Sequence, residues 1–496
     1  MTDAAPDLAR VWTPRNWRLG LCGAVALSAL LRLRFVFAPI SADEGGFLAI
    51  ARAWRHGAVL YRDVWVDRPQ GLLITYRLYD TLSFGHTAGL RVIAIAFGAI
   101  AVVAVGWAVR AVATPFAGIV AAVLAAVMSA APAIEGFAAN GELLSGAMGA
   151  ASVALAVAVL SGRVGPRWMF VAGVVGGVGF SLKQSGIDGP LAVGLWLAVV
   201  FVAGWMPRRE TALRFVQFVA GSFAVIIVLL VHGALTDWHD FWYALMGYRL
   251  DQRSALVGAD WHRLHLTWIA ARKILLPAVL VVAAAAVVIW RQRARVAHSL
   301  AAGVLFVWPF TGLLAFLSGG QFFEHYWVIL TFPLAAFTGL VIGALPWGRW
   351  RILVVALAVV PALVSFLGLA TLGRNQIPVK VSGYRRATKE ERVGQWFGAQ
   401  HAPGETLYVL CASAAAYAHA HEDPPYPYLW IDNVNQVPGA VGKLKDLLAS
   451  DRRPTYIAEF QSGASCGGAK VTGLLTANYQ PFTVVDGVQI LKARTP

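Results

Sequence analysis

Charged residues are scarce in this chain. Of its 496 residues only 14% are Asp, Glu, Lys or Arg, whereas 58% are hydrophobic and the mean hydropathy is +0.63. Soluble globular proteins carry about 25% charged residues, so the composition excludes a soluble multidomain protein. The chain is instead predicted to lie in a membrane.

Cysteine is also rare. The chain has three cysteines, Cys22 in the first apolar run and Cys411 and Cys466 near the C-terminus. Cys22 is interpreted as a lipid-facing or packed thiol. Cys411 and Cys466 each lie at or after the end of a predicted strand, which leaves open whether they form a disulfide.

Motifs of several other protein classes are missing. The sequence shows no internal repeat and no DNA- or RNA-binding motif, so the net charge of +15 does not indicate a nucleic-acid partner. Its external histidines match no compact zinc motif, and no cofactor is assigned. A dependence on a divalent cation stays open. These histidines are His232, His239, His262 and His265.

Long apolar runs fill the first 372 residues. Many windows reach the roughly 17–25 apolar residues that cross a bilayer as a helix. We therefore predict an α-helical polytopic membrane protein with about eleven spans. The spans lie near 19–40, 90–111, 114–132, 143–161, 168–182, 187–205, 214–234, 274–290, 298–317, 327–345 and 352–372.

Arginines mark alternate connections between these spans. If residues 1–18 are cytoplasmic, the arginines follow the positive-inside pattern, and nearly all acids before residue 373 fall outside. This predicts a multi-pass protein of the cell membrane with a cytoplasmic N-terminus. The inner arginines are Arg10, Arg15, Arg18, Arg110, Arg163, Arg167, Arg208, Arg209, Arg214, Arg291, Arg293, Arg295, Arg349 and Arg351.

Residues 373–496 are more polar and follow an odd number of spans, which places them outside. ERVGQWFGAQ, SAAAYAHAHE and GAVGKLKDLLAS are predicted helices, and ETLYVLC and PTYIAEF are predicted strands. QPFTVVDGVQILKA is predicted to be a hairpin that turns at Asp486 and Gly487. We expect a membrane domain at 1–372, with its first external loop at 41–89, and an extracytoplasmic α/β domain at 373–496.

An adjacent acidic pair, Asp43 and Glu44, follows the first span. Carboxylates at a membrane boundary are costly unless a partner, a cation or a reaction requires them. The pair opens an amphipathic segment, and the motif G-x-x-L-Y-R-D-x-x-x-D-R-P follows from Gly57. One interpretation is an interfacial helix whose charges are merely solvated.

The second interpretation rests on a resemblance. Asp-Glu directly after the first span, followed by this motif, resembles the first periplasmic loop of GT-C glycosyltransferases. The similar branch contains protein O-mannosyltransferases and lipid A aminoarabinose transferases, which transfer a sugar from a polyprenyl phosphate on the outer face. The resemblance covers about 17–372; the tail matches only in its placement.

The resemblance implies that Asp43 is the catalytic base. The attacking hydroxyl must lose a proton, and a carboxylate within hydrogen-bond reach accepts it. Lipid phosphate leaves readily, so direct displacement with inversion is expected. Glu44 would orient the acceptor or a water, or help to hold a divalent cation; alternatively, it pairs with Arg68 or another arginine.

Three cations are the candidate ligands of the donor phosphate. Arg68 lies where relatives often carry Lys-Pro-Pro, and an arginine still suits a phosphate. Lys183, in SLKQSG, lies at the outer end of a short span, where it binds an anion or merely snorkels. His325, in SGGQFFEHYW, is the third candidate; the alternative for this segment is an interfacial aromatic belt.

Further residues are expected to line the substrate pocket. Glu135 and Glu142 in PAIEGFAANGELL stand where GT-C enzymes often carry a second acid, although either also suits the start of the following helix. The loop 235–272, rich in aromatic residues, is the candidate acceptor or lipid gate. The complete set of pocket candidates is Tyr61, Asp67, Glu135, Glu142, Gln184 and Tyr326.

Two other functions compete with glycosyl transfer. A transporter or flippase of lipid-linked sugars would show internal repeats and a site near the bilayer midplane, whereas this chain gathers its polar residues on one face. A non-catalytic membrane scaffold would tolerate Asp43→Asn. The expected partners of the enzyme are a polyprenyl-phosphate sugar, a glycan, lipid or protein acceptor, and the bilayer.

Overall fold

Helices dominate the computed structural model, which describes residues 13–255, 260–291, 299–318, 320–345, 349–377, 381, 385–411 and 414–494. Through residue 370 the α-helices are α1 Pro14–Leu33, α2 Ala42–Arg55, α3 Gln70–Leu82, α4 Val92–Val112, α5 Pro115–Ser129, α6 Gly141–Leu160, α7 Trp168–Leu182, α8 Asp188–Ala203, α9 Arg208–Thr236, α10 Trp238–Trp242, α11 Tyr248–Ala255, α12 Trp261–Arg291, α13 Ala302–Ser318, α14 Val328–Ala344 and α15 Arg349–Ala370. Short 3₁₀ helices occupy Pro132–Ile134, Gln184–Ile187 and Glu324–Trp327, and a π-helix occupies Tyr243–Gly247.

The chain forms two compact units. The membrane unit consists of Met1–Val36, Arg91–Leu229 and Leu256–Thr371, and the second unit consists of Phe37–Leu90, Leu230–Ala255 and Leu372–Pro496. The last segment of the second unit therefore starts beside the expected boundary at 372/373. The first loop and residues 230–255 belong to the same unit as the tail. A division of the chain at residue 372 does not group these three segments.

Each predicted span overlaps one helix. Among the described residues, seven helices are long and apolar enough to cross a membrane, and three shorter apolar helices accompany them. Helix α1, at the first predicted span, belongs to neither group. The chain is a multi-pass membrane protein. Helix α12 begins at Trp261, well before the expected 274, because its first turns are polar and are capped by Asp260, which accepts from the Arg263 amide at 2.9 Å.

Glycines bring helices of the membrane unit close together. A Cβ on Gly173 of α7 would overlap the backbone oxygen of Phe218 in α9, and a Cβ on Gly221 would overlap the backbone oxygen of Phe170. In lipid, helices associate by such close backbone packing because the bilayer supplies no hydrophobic drive between them. Small residues therefore set the α7–α9 contact.

The tail contributes helices and a four-stranded mixed sheet to the second unit. In the sheet order β1-β2-β4-β3, β1 pairs parallel to β2, while β2–β4 and β3–β4 are antiparallel. Asp486 and Gly487, with φ of 48° and 76°, form the β3–β4 turn, as predicted. The elements are α16 Ala387–Gln400, β1 Leu407–Val409, α17 Ala415–Ala420, α18 Ile431–Gln436, α19 Ala440–Ala449, β2 Tyr456–Glu459, α20 Ala469–Asn478, β3 Tyr479–Val485 and β4 Val488–Ala493.

The predicted α/β character of the tail is confirmed. Every predicted tail helix and strand has a counterpart, and α18 and α20 are additional. Cys411 and Cys466 form a disulfide, with their Cα atoms 5.8 Å apart, while Cys22 is a free, exposed thiol. The bridge ties the end of the β1 segment to the loop that follows β2.

Candidate active site

The acidic pair lies in the first turn of α2. Ser41 caps this helix: its side chain accepts from the Glu44 amide at 3.1 Å, and Glu44 Oε2 accepts from the Ser41 amide at 2.9 Å. This capping box explains why Glu44 is buried. Asp43 precedes it and is half-buried, and its negative charge suits the helix N-terminus.

The Asp43 carboxylate receives a hydrogen bond from the tail. Trp430 Nε1 donates to Asp43 Oδ1 at 3.0 Å. The two glycines after the acidic pair allow this approach: a Cβ on Gly45 would overlap Ala415, and a Cβ on Gly46 would come within 2.5 Å of the Trp430 ring. The sequence Asp-Glu-Gly-Gly thus combines the acids with a surface on which the tail packs.

Two arginines of the second unit share one carboxylate. Asp67 pairs with Arg68 at 2.6 Å and with Arg249 of α11. The Tyr61 hydroxyl donates to the Arg68 backbone oxygen at 2.9 Å, which fixes the loop that carries these charges. Burial raises the pKa of Tyr61 well above its usual value, so this side chain stays a neutral donor.

Gln70 is the first residue of α3 and follows Arg68 and Pro69. Its side-chain nitrogen lies 3.1 Å from Nδ1 of His232, and Gln70 is buried. Trp54 packs edge-on against His232 with 5.6 Å between ring centroids. Gln70 therefore contributes a contact to residues 230–236 at the end of α9.

The membrane unit holds a cluster of buried charges. Lys183 Nζ pairs with Glu142 Oε1 and lies 4.2 Å from the centre of the Tyr326 ring. Helix α7 ends at Leu182, and Lys183 is extended before the 3₁₀ helix that starts at Gln184. This break directs the lysine to Glu142 in the first turn of α6. Gln184 itself is half-buried.

His325 joins the two glutamates of this cluster. Its Nδ1 lies 3.1 Å from Glu135 Oε2, and its Nε2 lies 3.8 Å from Glu142 Oε1. Glu135 has a left-handed backbone with φ of 54°, a strained conformation for a residue with a side chain. The cluster thus combines two acids with a lysine and a histidine, all nearly buried.

Each of the two units holds its own set of polar groups. In the second unit, Asp43 is a carboxylate oriented by a neutral donor, and Arg68 and Arg249 both pair with Asp67. In the membrane unit, Lys183 pairs with Glu142, and His325 lies within hydrogen-bond distance of Glu135. No group of three or more His, Cys, Asp or Glu among the described residues is arranged to hold a metal ion.

Comparisons with known proteins identify the fold. No protein-family model matches the sequence, and no curated protein matches it. The chain is similar to ArnT from Cupriavidus metallidurans bound to undecaprenyl phosphate, with a TM-score of 0.62 and 13% identity over 97% of this chain and 98% of ArnT. It is also similar to the apo oligosaccharyltransferase of Archaeoglobus fulgidus, with a TM-score of 0.56 and 12% identity over 93% and 73% of the two chains. The chain has the GT-C fold.

The GT-C fold is supported by a third structure. This is the oligosaccharyltransferase AglB from Archaeoglobus fulgidus in complex with an inhibitory peptide and a dolichol-phosphate, with a TM-score of 0.56 and 13% identity over 95% of this chain and 73% of AglB. At these identities the likeness concerns the fold. Two residues of the candidate site, Arg249 and Trp430, were not predicted from the sequence. Arg249 lies in the arginine-bearing loop 235–272, whereas no local pattern connects Trp430 with Asp43.

Proposed function

We propose that this protein is an inverting glycosyltransferase that uses a polyprenyl-phosphate sugar. The observation that carries the proposal is the half-buried carboxylate of Asp43, oriented by Trp430 at the start of α2. A carboxylate held in one orientation, in a chain with the GT-C fold, is suited to accept a proton during sugar transfer. Glu44 supports it by capping the helix.

The chemical step needs one base and a stabilised leaving group. Asp43 takes the proton of an acceptor hydroxyl as its oxygen forms a bond to the anomeric carbon. The bond from that carbon to the phosphate oxygen breaks, and its electron pair leaves with the lipid phosphate. Because the departing lipid phosphate is a weak base, no strong general acid is required. Attack on the side opposite the phosphate inverts the configuration of the anomeric carbon. Glycoside hydrolases, in contrast, use a pair of carboxyl groups.

Cationic side chains are assigned to the donor phosphate. Arg68 and Arg249 meet at Asp67, and guanidinium groups suit the oxygens of a phosphate. Lys183 and His325 are assigned the same role, with Glu135 and Glu142 holding them in place. The rest of the substrate pocket is assigned to Tyr61, Asp67, Gln184 and Tyr326.

The donor class is proposed by analogy with proteins of the same fold. ArnT was solved with undecaprenyl phosphate and AglB with dolichol-phosphate. We assign this chain a lipid-phosphate-linked hexose or pentose as donor and a hydroxyl of an envelope glycan, lipid or protein as acceptor. The arginine pattern assigns a cytoplasmic N-terminus and an extracytoplasmic tail.

Reconstitution with a donor panel tests the proposal. Purified protein in nanodiscs is incubated with synthetic undecaprenyl-phosphate mannose, arabinose and aminoarabinose and with octyl glycoside, lipid A and peptide acceptors. We expect release of undecaprenyl phosphate and an inverted product from at least one pair, and Asp43→Asn should lower the rate roughly 10²–10⁴-fold. Wild-type rates in Asp43→Asn would refute the mechanism.

The same preparation separates the competing functions. A flippase would move fluorescent lipid-linked sugar across proteoliposomes without forming a product, and a scaffold would do neither. Arg62→Ala is the matched control for the first loop, because Arg62 forms an exposed pair with Asp63 at 2.9 Å. An exposed pair contributes little to stability, so this variant should keep the wild-type rate.

A further inference from the structure

We infer that Trp430 of the tail is a positioning residue for the catalytic base. The inference rests on the proposed function, because it gives Asp43 that role. Trp430 Nε1 donates to Asp43 Oδ1 at 3.0 Å, and the two residues are 387 positions apart in the chain. Within the part of the chain that the structure describes, this indole is the hydrogen-bond partner of the carboxylate.

The chemistry of the indole suits this task. An indole N–H donates only and carries no charge, so it orients a carboxylate without neutralising it. An arginine or lysine in its place would hold the carboxylate in an ion pair and compete with the acceptor proton. A hydrogen bond to one oxygen restricts the rotation of the carboxylate and leaves the other oxygen to accept the proton of the acceptor hydroxyl.

Packing around Trp430 holds the indole in place. The Trp430 ring lies 5.8 Å from the ring of Phe47 and against Gly46, whose missing side chain makes room for it. Phe47 in turn packs edge-on against Tyr76 of α3 with 5.7 Å between centroids. The donor is therefore held by aromatic contacts from the same helix that carries Asp43.

Residues next to Trp430 anchor the tail independently. The Trp65 amide donates to the backbone oxygen of Pro427 at 3.0 Å, and Asn433 Nδ2 donates to the Tyr248 hydroxyl at 3.1 Å. These contacts flank Trp430 on both sides in the sequence. A change at Trp430 is therefore expected to remove the hydrogen bond without releasing this segment from the first loop.

Two replacements distinguish a hydrogen bond from packing. Trp430→Phe keeps an aromatic ring against Phe47 and Gly46 but removes the N–H. Replacement of Trp430 by 3-benzothienylalanine keeps the indole shape and puts sulfur in place of the N–H. Trp196→Phe is the matched control, because Trp196 Nε1 donates to the Leu300 backbone oxygen at 2.7 Å and carries no role in the proposed reaction.

Steady-state kinetics of the full-length protein in nanodiscs, with the donor and acceptor pair found active, tests the inference. We expect both Trp430 replacements to lower kcat about 10–100-fold, the usual effect of losing a hydrogen bond to a charged group, with unchanged KM for donor and acceptor. Replacement by 5-fluorotryptophan, which keeps the N–H, should retain the wild-type kcat, as should Trp196→Phe.

The outcomes separate this inference from the proposed function. If Asp43→Asn is inactive but the benzothienylalanine protein keeps the wild-type kcat, Trp430 does not position the base and the proposed function stands. A fall in kcat for Trp430→Phe alone would assign Trp430 a packing role and overturn the inference. If Asp43→Asn transfers sugar at the wild-type rate, the proposed function fails, and the inference fails with it.

Discussion

His325 Nδ1 lies 3.1 Å from Glu135 Oε2, although 190 positions separate the two residues in the chain. The histidine reaches back from the 3₁₀ helix before α14 to the left-handed residue that follows Pro132–Ile134. Its other nitrogen faces Glu142, which pairs with Lys183. Four residues from three connections that are predicted to be external thus form one charged cluster in the membrane unit.

Breaking one pair of this cluster should destabilise the protein. Lys183→Met leaves Glu142 as a buried acid without its lysine, and loss of one partner of a buried pair costs about 3–5 kcal/mol. The thermal unfolding midpoint in detergent should fall, and sugar transfer should be lost.

The double variant Lys183→Met/Glu142→Gln separates stability from catalysis. Removal of both charges should restore much of the unfolding midpoint, because no isolated charge stays buried. Transfer should remain absent if Lys183 contributes to phosphate binding. A double variant that is both stable and fully active would contradict the phosphate role.

Arg249→Ala should weaken donor binding. Arg249 and Arg68 both pair with Asp67, and Arg249→Ala removes one of the two guanidinium groups assigned to the phosphate. Loss of a charge-assisted hydrogen bond corresponds to about a tenfold or greater rise in the KM for the donor. Titration of the lipid-linked sugar checks this, and an unchanged donor KM would remove Arg249 from the phosphate site.

Gly45→Ala should destabilise the second unit. The added Cβ would overlap the Cα and Cβ of Ala415, and backbone at that point cannot rotate away. Overpacking of this kind costs about 1–3 kcal/mol. We expect a lower unfolding midpoint and faster limited proteolysis of the tail.

Gly442→Ala is the matched control for Gly45→Ala. Gly442 lies in α19, and a Cβ there meets no atom within 4 Å. Alanine should match or exceed the wild-type stability, because glycine within a helix costs about 0.5–1 kcal/mol relative to alanine. Equal destabilisation by both substitutions would show that the tail does not pack tightly on α2.

His419 should make the stability sensitive to acid. The pKa of His419 is lowered from 6.5 to about 4, mainly because burial disfavours the charged ring; Glu391 opposes this shift, and nearby cations add to it. Between pH 4 and pH 6.5 the unfolded chain therefore binds more protons at His419 than the folded chain. The contribution of His419 to stability is fully present above pH 6.5 and is lost as the pH falls toward 4. The loss between pH 7 and pH 5 is about 2 kcal/mol.

Thermal unfolding at pH 7 and pH 5 measures this effect. His419→Gln removes the titrating ring, so the difference in midpoint between the two pH values should shrink. His239→Gln is the control, since the His239 side chain is 89% exposed. If His419→Gln left the pH dependence of the midpoint unchanged, the buried histidine would not be its source.

The sequence alone determined the local features of this protein. Apolar runs of bilayer length predicted the spans because each helix is specified by its own composition. Alternating patterns and Asp486-Gly487 predicted the tail strands and hairpin, because a left-handed turn needs residues of this kind. The scarcity of acids in the chain distinguished Asp43 and Glu44 as candidate site residues.

Tertiary structure alone decided which of these residues meet. It paired Lys183 with Glu142 and His325 with Glu135, and it brought Trp430 to Asp43 across 387 positions. It also turned Glu44 into a helix cap, and it joined the first loop to the tail in one unit. Local periodicity contains no information on such pairs, because they depend on how helices, sheet and glycine surfaces pack together.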